Sequence, residues 1–193
     1  MKLRESSVLI MGMTHDGAVP GKMRRVSIAQ GEYVVLGDPN AVITTVLGSC
    51  VSACIRDPKL GIGGMNHFVL PEPHTPSGAP VGGDVSRYGS HLMNQLVDDL
   101  LAHGADLRRL EAKVFGGASP WNSYYNVGER NVRFALAFLA QKRIAVIETQ
   151  FGGVSGCKLN YWPVSGKAEY LPLKPEKIAT PSKVIQLKRV LPL

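Results

Sequence analysis

Residues 51–56 alternate Val51, Ala53 and Ile55 against Ser52, Cys54 and Arg56, the period of two that marks an extended strand. Ahead of them, 42–47 is rich in β-branched residues and reads as another strand, with Gly48-Ser49 as the turn between the two. Asp57-Pro58-Lys59-Leu60-Gly61 carries Pro and Gly at turn positions, so 62–70 is expected to return antiparallel to the strand before it. From residue 85 or 86 to 102 the period changes. Leu92, Leu96 and Leu100, with Met93, Val97 and Leu101, recur at helical spacing opposite Asn94, Gln95, Asp98 and Asp99, which predicts an amphipathic helix ended by Gly104. A second helix is expected over 128–142, with Phe134, Phe138 and Leu139 facing inward and Asn126 as N-cap. Residues 144–148 then read as a strand, and 159–164 with 167–173 as a hairpin about Ser165-Gly166. Strands around two main helices define a mixed α/β chain.

The same pattern sets the organisation. Residues 1–30, with Gly17, Pro20 and Gly21 in a mixed composition, read as a loosely ordered N-terminal extension, 31–173 as a single folded domain, and 174–193 as a basic tail. Residues 71–84 are dense in Pro, Gly and Ser and directly follow the strand carrying His67, so they form a loop and a candidate wall or lid for a site there. No repeat or low-complexity run is visible.

Composition narrows the class. With 193 residues, 45% of them hydrophobic, one packed core suffices. The three cysteines show no CxxC or zinc-like spacing, which suits a reducing compartment. Residues 8–13 are too short for a secretory core, and no stretch approaches the roughly 20 apolar residues of a membrane span, so a cytoplasmic protein that is not membrane-embedded is expected. The net charge of +7 gathers in Lys22, Arg24 and Arg25 and in Lys174, Lys177, Lys183, Lys188 and Arg189. Neither cluster interleaves aromatics and no DNA-binding motif spacing appears, so nucleic acid is not the expected partner. These charges read as a solvated face and tail, or as a device that steers the protein onto an acidic partner or the membrane surface beside it.

Cys50 and His67 fall on either side of the predicted hairpin. A thiol becomes a nucleophile at neutral pH when a neighbouring imidazole takes its proton, so this pair points to a cysteine hydrolase acting on an acyl group. If the extended geometry persists from Thr44 through Val46 and Gly48 to Cys50, the Thr44 hydroxyl lies on the thiol's side and orients the imidazole. The competing reading makes Cys50 a small core hydrophobe and His67 a hydrogen-bonded structural residue. Cys54 and Cys157 read as inert. His15, His74, His91 and His103 lack ligand spacing, so no metal is expected, and no helix follows Gly61-Ile62-Gly63-Gly64, so no dinucleotide or other cofactor is expected.

Four blocks carry a family resemblance: Leu47-Gly48-Ser49-Cys50-Val51; Gly63-Gly64-Met65-Asn66-His67 with Leu70-Pro71; Ala112-Lys113-Val114-Phe115-Gly116-Gly117-Ala118-Ser119; and Gly128-Glu129-Arg130-Asn131-Val132. Their order and spacing resemble the CheD family of chemoreceptor glutamine deamidases, from about Gly31-Glu32-Tyr33 to the Gly166 hairpin. The resemblance implies a sandwich of mixed β-sheets with helices packed outside. It implies Cys50 as nucleophile, His67 as base and Thr44 as third member, and sets Phe115, Gly116 and Gly117 near the active or partner-facing surface. Gln150 and Cys157 depart from it, standing where such chains usually carry an acidic and a basic residue, and Pro120-Trp121 departs as well.

The chemistry so implied is hydrolysis of receptor glutamine side chains to glutamate through an acyl-thioester on Cys50, with ammonia leaving. Backbone N–H groups at Cys50 and its neighbours, with Gly48, Ser49 and Val51 as candidates, would hold the oxyanion. Glutamyl methyl esters present a similar carbonyl, so methylesterase activity is an expected side reaction. The implied partners are the cytoplasmic domain of a chemoreceptor, within membrane receptor arrays, and a CheC-like phosphatase. The alternative is a mainly non-catalytic adaptor that binds that phosphatase or the array.

Overall fold

The computed structural model describes residues 23–71, 88–119 and 126–174. The predicted loop beyond Pro71 and the basic tail beyond Lys174 lie outside the described residues. The hairpin foreseen from the alternation is present: β4 (Val51–Asp57) pairs antiparallel with β5 (Ile62–His67), and Gly61, at a φ of 73°, supplies the turn. On the far side of β5 lies β2 (Glu32–Leu36). On the far side of β4 lies β6 (Glu111–Gly116), followed in parallel by β7 (Ala145–Phe151), which gives a mixed sheet of order β2-β5-β4-β6-β7. A second mixed sheet joins β1 (Arg24–Ser27), β3 (Ala41–Leu47), β8 (Cys157–Tyr161) and β9 (Ala168–Pro172) in the order β1-β3-β8-β9, with β1 parallel to β3.

Helix α1 (Gly89–Ala102) buries Leu92, Met93, Leu96, Val97 and Leu100, and α2 (Val127–Gln141), capped by the Asn126 side chain on the Glu129 N–H, buries Val132, Ala135, Phe138 and Leu139. Both helices pack on the five-stranded sheet. Burying a Leu or Met side chain is worth roughly 1.5–3 kcal/mol, so this docking, more than helix propensity, holds α1 in place. The four-stranded sheet covers the other face, and β4 divides the core between the two layers. Val51, Ala53 and Ile55 join the helix-side cluster, whereas Cys54 joins Ile43, Leu47, Met65 and Phe115 between the sheets. The observed architecture is the expected sandwich of mixed sheets with helices outside.

Two expectations change. The core begins at Arg24 rather than near Gly31: β1 pairs along β3 and Ile28 is buried, so the last part of the supposed extension belongs to the sandwich. Phe115 is fully buried between the sheets and stacks on Tyr170 at 6.4 Å between ring centroids, so it offers no surface to a partner. Asp57, at the turn end of β4, is also fully buried. Its carboxylate accepts from the backbone N–H groups of Lys59, Leu60 and Asp106 and from the Arg109 guanidinium.

Candidate active site

At the other end of β4 the chain passes from one sheet to the other. β3 stops at Leu47, Gly48-Ser49 bends, and Cys50 enters the second sheet. All three carbonyls of the bend are pinned: Gly48 O accepts from Ala118 N–H at 2.8 Å, Ser49 O from the Asn131 amide at 2.9 Å, and Cys50 O from Gly117 N–H at 2.8 Å. Gly116 and Gly117, at φ of 108° and 65°, make this approach possible, since a Cβ on Gly116 would collide with Cys50 O and one on Gly117 with the Val132 side chain. Gly48 differs from them. A Cβ there would meet nothing within 4 Å, so this residue faces open space beside the Cys50 bend.

The hairpin register then brings Cys50 and His67 together. Val51 and Phe68 exchange backbone hydrogen bonds of 3.2 and 3.1 Å, so Cys50 stands opposite Val69, one diagonal step from His67. Both side chains are buried on the inter-sheet side, Cys50 in the cluster with Met65 and Leu47, and His67 two residues along the strand from Met65. Asn131, fully buried on α2, adds a second tie through its Nδ2 atom, which donates to Val69 O as well as to Ser49 O, both at 2.9 Å. One side chain therefore clamps the bend bearing the thiol to the strand bearing the imidazole.

The imidazole has a defined tautomer. Thr45 Oγ1 donates its single proton to Ile28 O at 2.8 Å, so it must accept from His67 Nδ1–H, also at 2.8 Å. The other ring nitrogen, Nε2, then carries the lone pair, is buried, and has no hydrogen-bond partner among the described residues. Burial pushes the His67 pKa down from 6.5 to about 4, against the pull of Glu32, its partner across the β2–β5 ladder. At neutral pH the ring is uncharged, and Nε2 is available as a base rather than already an imidazolium.

Thr44 does not orient this ring. Its hydroxyl faces the other side of β3 and donates to Asn160 Oδ1 at 2.9 Å. The inward parity of β3 belongs to Ala41, Ile43, Thr45 and Leu47, and the bend at Gly48-Ser49 breaks the extended run on which the match to Cys50 depended. Val51 is corrected too: its N–H donates to Phe68 O and is unavailable to an oxyanion. Thr45, Asn131 and Gln30, whose amide Nε2 lies 3.7 Å from Cys50 Sγ, are the site residues that sequence reasoning missed. Cys54 and Cys157 are both buried, and burial pushes their thiols up. Among the described residues no His, Cys, Asp and Glu cluster suits a metal, and no helix is long and apolar enough to cross a membrane.

A groove of about 530 Å³ opens beside the bend, lined by Gly117, Ser119, Phe151 and Gly152 on one side and by Glu129, Val132 and Arg133 of α2 on the other. A second depression of about 650 Å³ lies between α1 and α2, and neither hollow is lined by Cys50 or His67.

The family model described as CheD chemotactic sensory transduction matches residues 69–170. A Rhizobium etli protein named probable chemoreceptor glutamine deamidase CheD is 56% identical over 153 residues, covering 79% of this chain and 82% of its own. Proteins of the same name from Agrobacterium fabrum and Caulobacter vibrioides are 55% and 47% identical, covering 78% and 79% of this chain and 81% and 79% of theirs. Among solved structures, Bacillus licheniformis hypothetical protein YfiH matches 67% of this chain and 60% of its own at a TM-score of 0.42 and 10% identity, too distant to bear on function. With a family model spanning more than half the sequence and curated relatives this similar over most of their length, the chain belongs to the CheD family.

Proposed function

We propose that this protein hydrolyses glutamine side chains of chemoreceptors to glutamate, with Cys50 as nucleophile, His67 as general base and acid, and Thr45 in the orienting role expected of Thr44. The observation that carries this reading is the tautomer chain Ile28 O, Thr45 Oγ1, His67 Nδ1, which leaves Nε2 unprotonated, and unpartnered among the described residues, on the face that also holds the Cys50 thiol. The names of the relatives supply the substrate class.

His67 Nε2 takes the thiol proton as Cys50 Sγ attacks the carboxamide carbon. Negative charge gathers on the amide oxygen, for which the backbone N–H groups of Cys50, Ser49 and Gly48 are the remaining candidates. The imidazolium returns its proton to the departing nitrogen and ammonia leaves. His67, neutral again, then draws a proton from water as it attacks the thioester, releasing glutamate and the thiol. Glutamyl methyl esters enter the same scheme with methanol leaving, which is the basis for an esterase side reaction. The groove beside Gly117 is the surface on which the receptor helices would lie. A CheC-like phosphatase and the receptor array are further partners under this reading.

The test incubates the purified protein with the cytoplasmic fragment of a cognate receptor and follows the mass gain of Gln to Glu, with Cys50→Ala in parallel. Conversion by the native protein and none by the variant is the expected result. Binding without conversion by either would sink the deamidase reading and leave the adaptor.

A further inference from the structure

The segment between β1 and β2 is tied to Thr45, His67 and Cys50. Ile28 N–H donates to Thr44 O at 3.0 Å, Ile28 O accepts the Thr45 hydroxyl at 2.8 Å, and Gly31 N–H donates to His67 O at 2.8 Å. Within the segment, Glu32 N–H closes a turn on Ala29 O at 3.2 Å, and the Glu32 carboxylate accepts from Ala29 N–H at 2.8 Å. In that turn sits Gln30, an exposed residue whose carboxamide Nε2 is 3.7 Å from the buried Cys50 sulfur, within hydrogen-bonding range of sulfur.

We propose that Gln30 is a built-in carboxamide guard on the Cys50 thiol, standing where a substrate glutamine must bring its own carboxamide and yielding to it. This rests on the deamidase reading for the identity of the substrate, but the covering of the thiol does not. The chemistry of the two groups is the same. The guard presents its nitrogen to the sulfur, the end that can donate to a thiol or thiolate; its carbonyl oxygen would face the sulfur lone pairs. Its backbone is fixed by the hydrogen bonds above, while the side chain is unbranched, exposed and anchored to the site only at its tip, so it can swing aside without disturbing either sheet. An incoming glutamine supplies a replacement donor when it displaces Gln30. An electrophile or oxidant without an amide supplies none, so the guard selects for carboxamides and protects the thiol between turnovers. An apparent affinity is lowered by the fraction of protein whose site is closed.

The test compares the native protein with Gln30→Ala in the rate of alkylation of Cys50 by iodoacetate, an electrophile that carries no amide, followed by peptide mass spectrometry. The buffer is alkaline enough to ionise the thiol in both proteins, so that the rate reports access alone. A guard held by one hydrogen bond predicts a rise of roughly two- to tenfold in the variant, with an unchanged melting curve, and a KM for the receptor fragment lowered by a similar factor. An equal or slower alkylation rate in Gln30→Ala would overturn the guard. Faster alkylation in Gln30→Ala alongside no receptor conversion by the native protein leaves the guard standing and removes the deamidase reading. Cys50-dependent conversion with unchanged alkylation does the reverse.

Discussion

Strand β4 ends on Asp57, whose buried carboxylate accepts from three backbone N–H groups and from Arg109, whereas the residues around its start include two buried atoms, His67 Nε2 and Asn131 Oδ1, that have no hydrogen-bond partner among the described residues. A buried polar atom left unpaired costs about 1–3 kcal/mol. The Asp57 end avoids that cost and closes the hairpin. The Cys50 end carries it at two atoms, and one of them is the nitrogen that serves as general base in the proposed mechanism. The contrast separates a polar cluster built for stability from one that gives up stability for chemistry.

The largest break in this contrast comes from Cys50→Ala. Losing the proposed nucleophile should lower receptor deamidation by on the order of 10⁴-fold or more, while the melting temperature stays close to native, since a small residue replaces a small one in the inter-sheet cluster. A variant that loses activity and also melts far lower would argue for a structural Cys50.

Arg109→Ala should do the opposite. It strips the guanidinium from a buried carboxylate and should cost about 3 kcal/mol of stability, read as a shift of the urea midpoint, with kcat unchanged at temperatures where the variant is folded. The Arg109 guanidinium, followed by the backbone N–H donors, holds the Asp57 pKa well below the usual carboxylate range. A depressed carboxyl pKa adds stability above the unfolded value near 4, and that stability is lost as pH falls below it. Arg109→Ala should therefore flatten the acid limb of the stability curve. An unchanged limb would assign acid unfolding to other groups.

Thr45→Val comes next. It leaves His67 Nδ1–H buried without its acceptor and frees the ring to turn, so kcat/KM should fall by about tenfold to a hundredfold. In the native protein the acid limb of kcat/KM should lie near pH 4, because burial holds His67 neutral down to about that value. An acid limb near 6.5 would mean that the working ring is solvated and that the tautomer chain is not what prepares it.

How far the sequence could have led to this site differs along the chain. The hairpin from Val51 to His67 was legible because its period of two, the Pro and Gly of its turn and its short span are all local. The helices were legible from their apolar stripes. β1 was missed because Arg24-Arg25-Val26-Ser27 has little patterning, and its strand identity comes from lying parallel to β3. Asn131 is held by residues 49 and 69, far away in sequence, yet it left a trace: a polar residue in the inward stripe with Gly128, Val132, Ala135 and Phe138. Asking what a buried amide was doing there would have found the clamp. Gln30 left none, since its reach to Cys50 depends on how β1 and β2 lie across both sheets.

Thr44 and Thr45 give the narrowest version of the comparison, two adjacent threonines on opposite faces of one strand. Thr44 donates to Asn160, which also accepts from Arg25, so its network ties β3 to β8 and stays away from the imidazole. Thr44→Val should cost about 1 kcal/mol of stability, the ordinary value of one hydrogen bond, and leave kcat/KM within about twofold, because no atom between the hydroxyl and His67 changes partner. A fall in kcat/KM matching that of Thr45→Val, at equal stability, would show that the working enzyme turns the Thr44 face of β3 toward the ring. The tautomer chain through Ile28 and Thr45 would then describe only the resting protein.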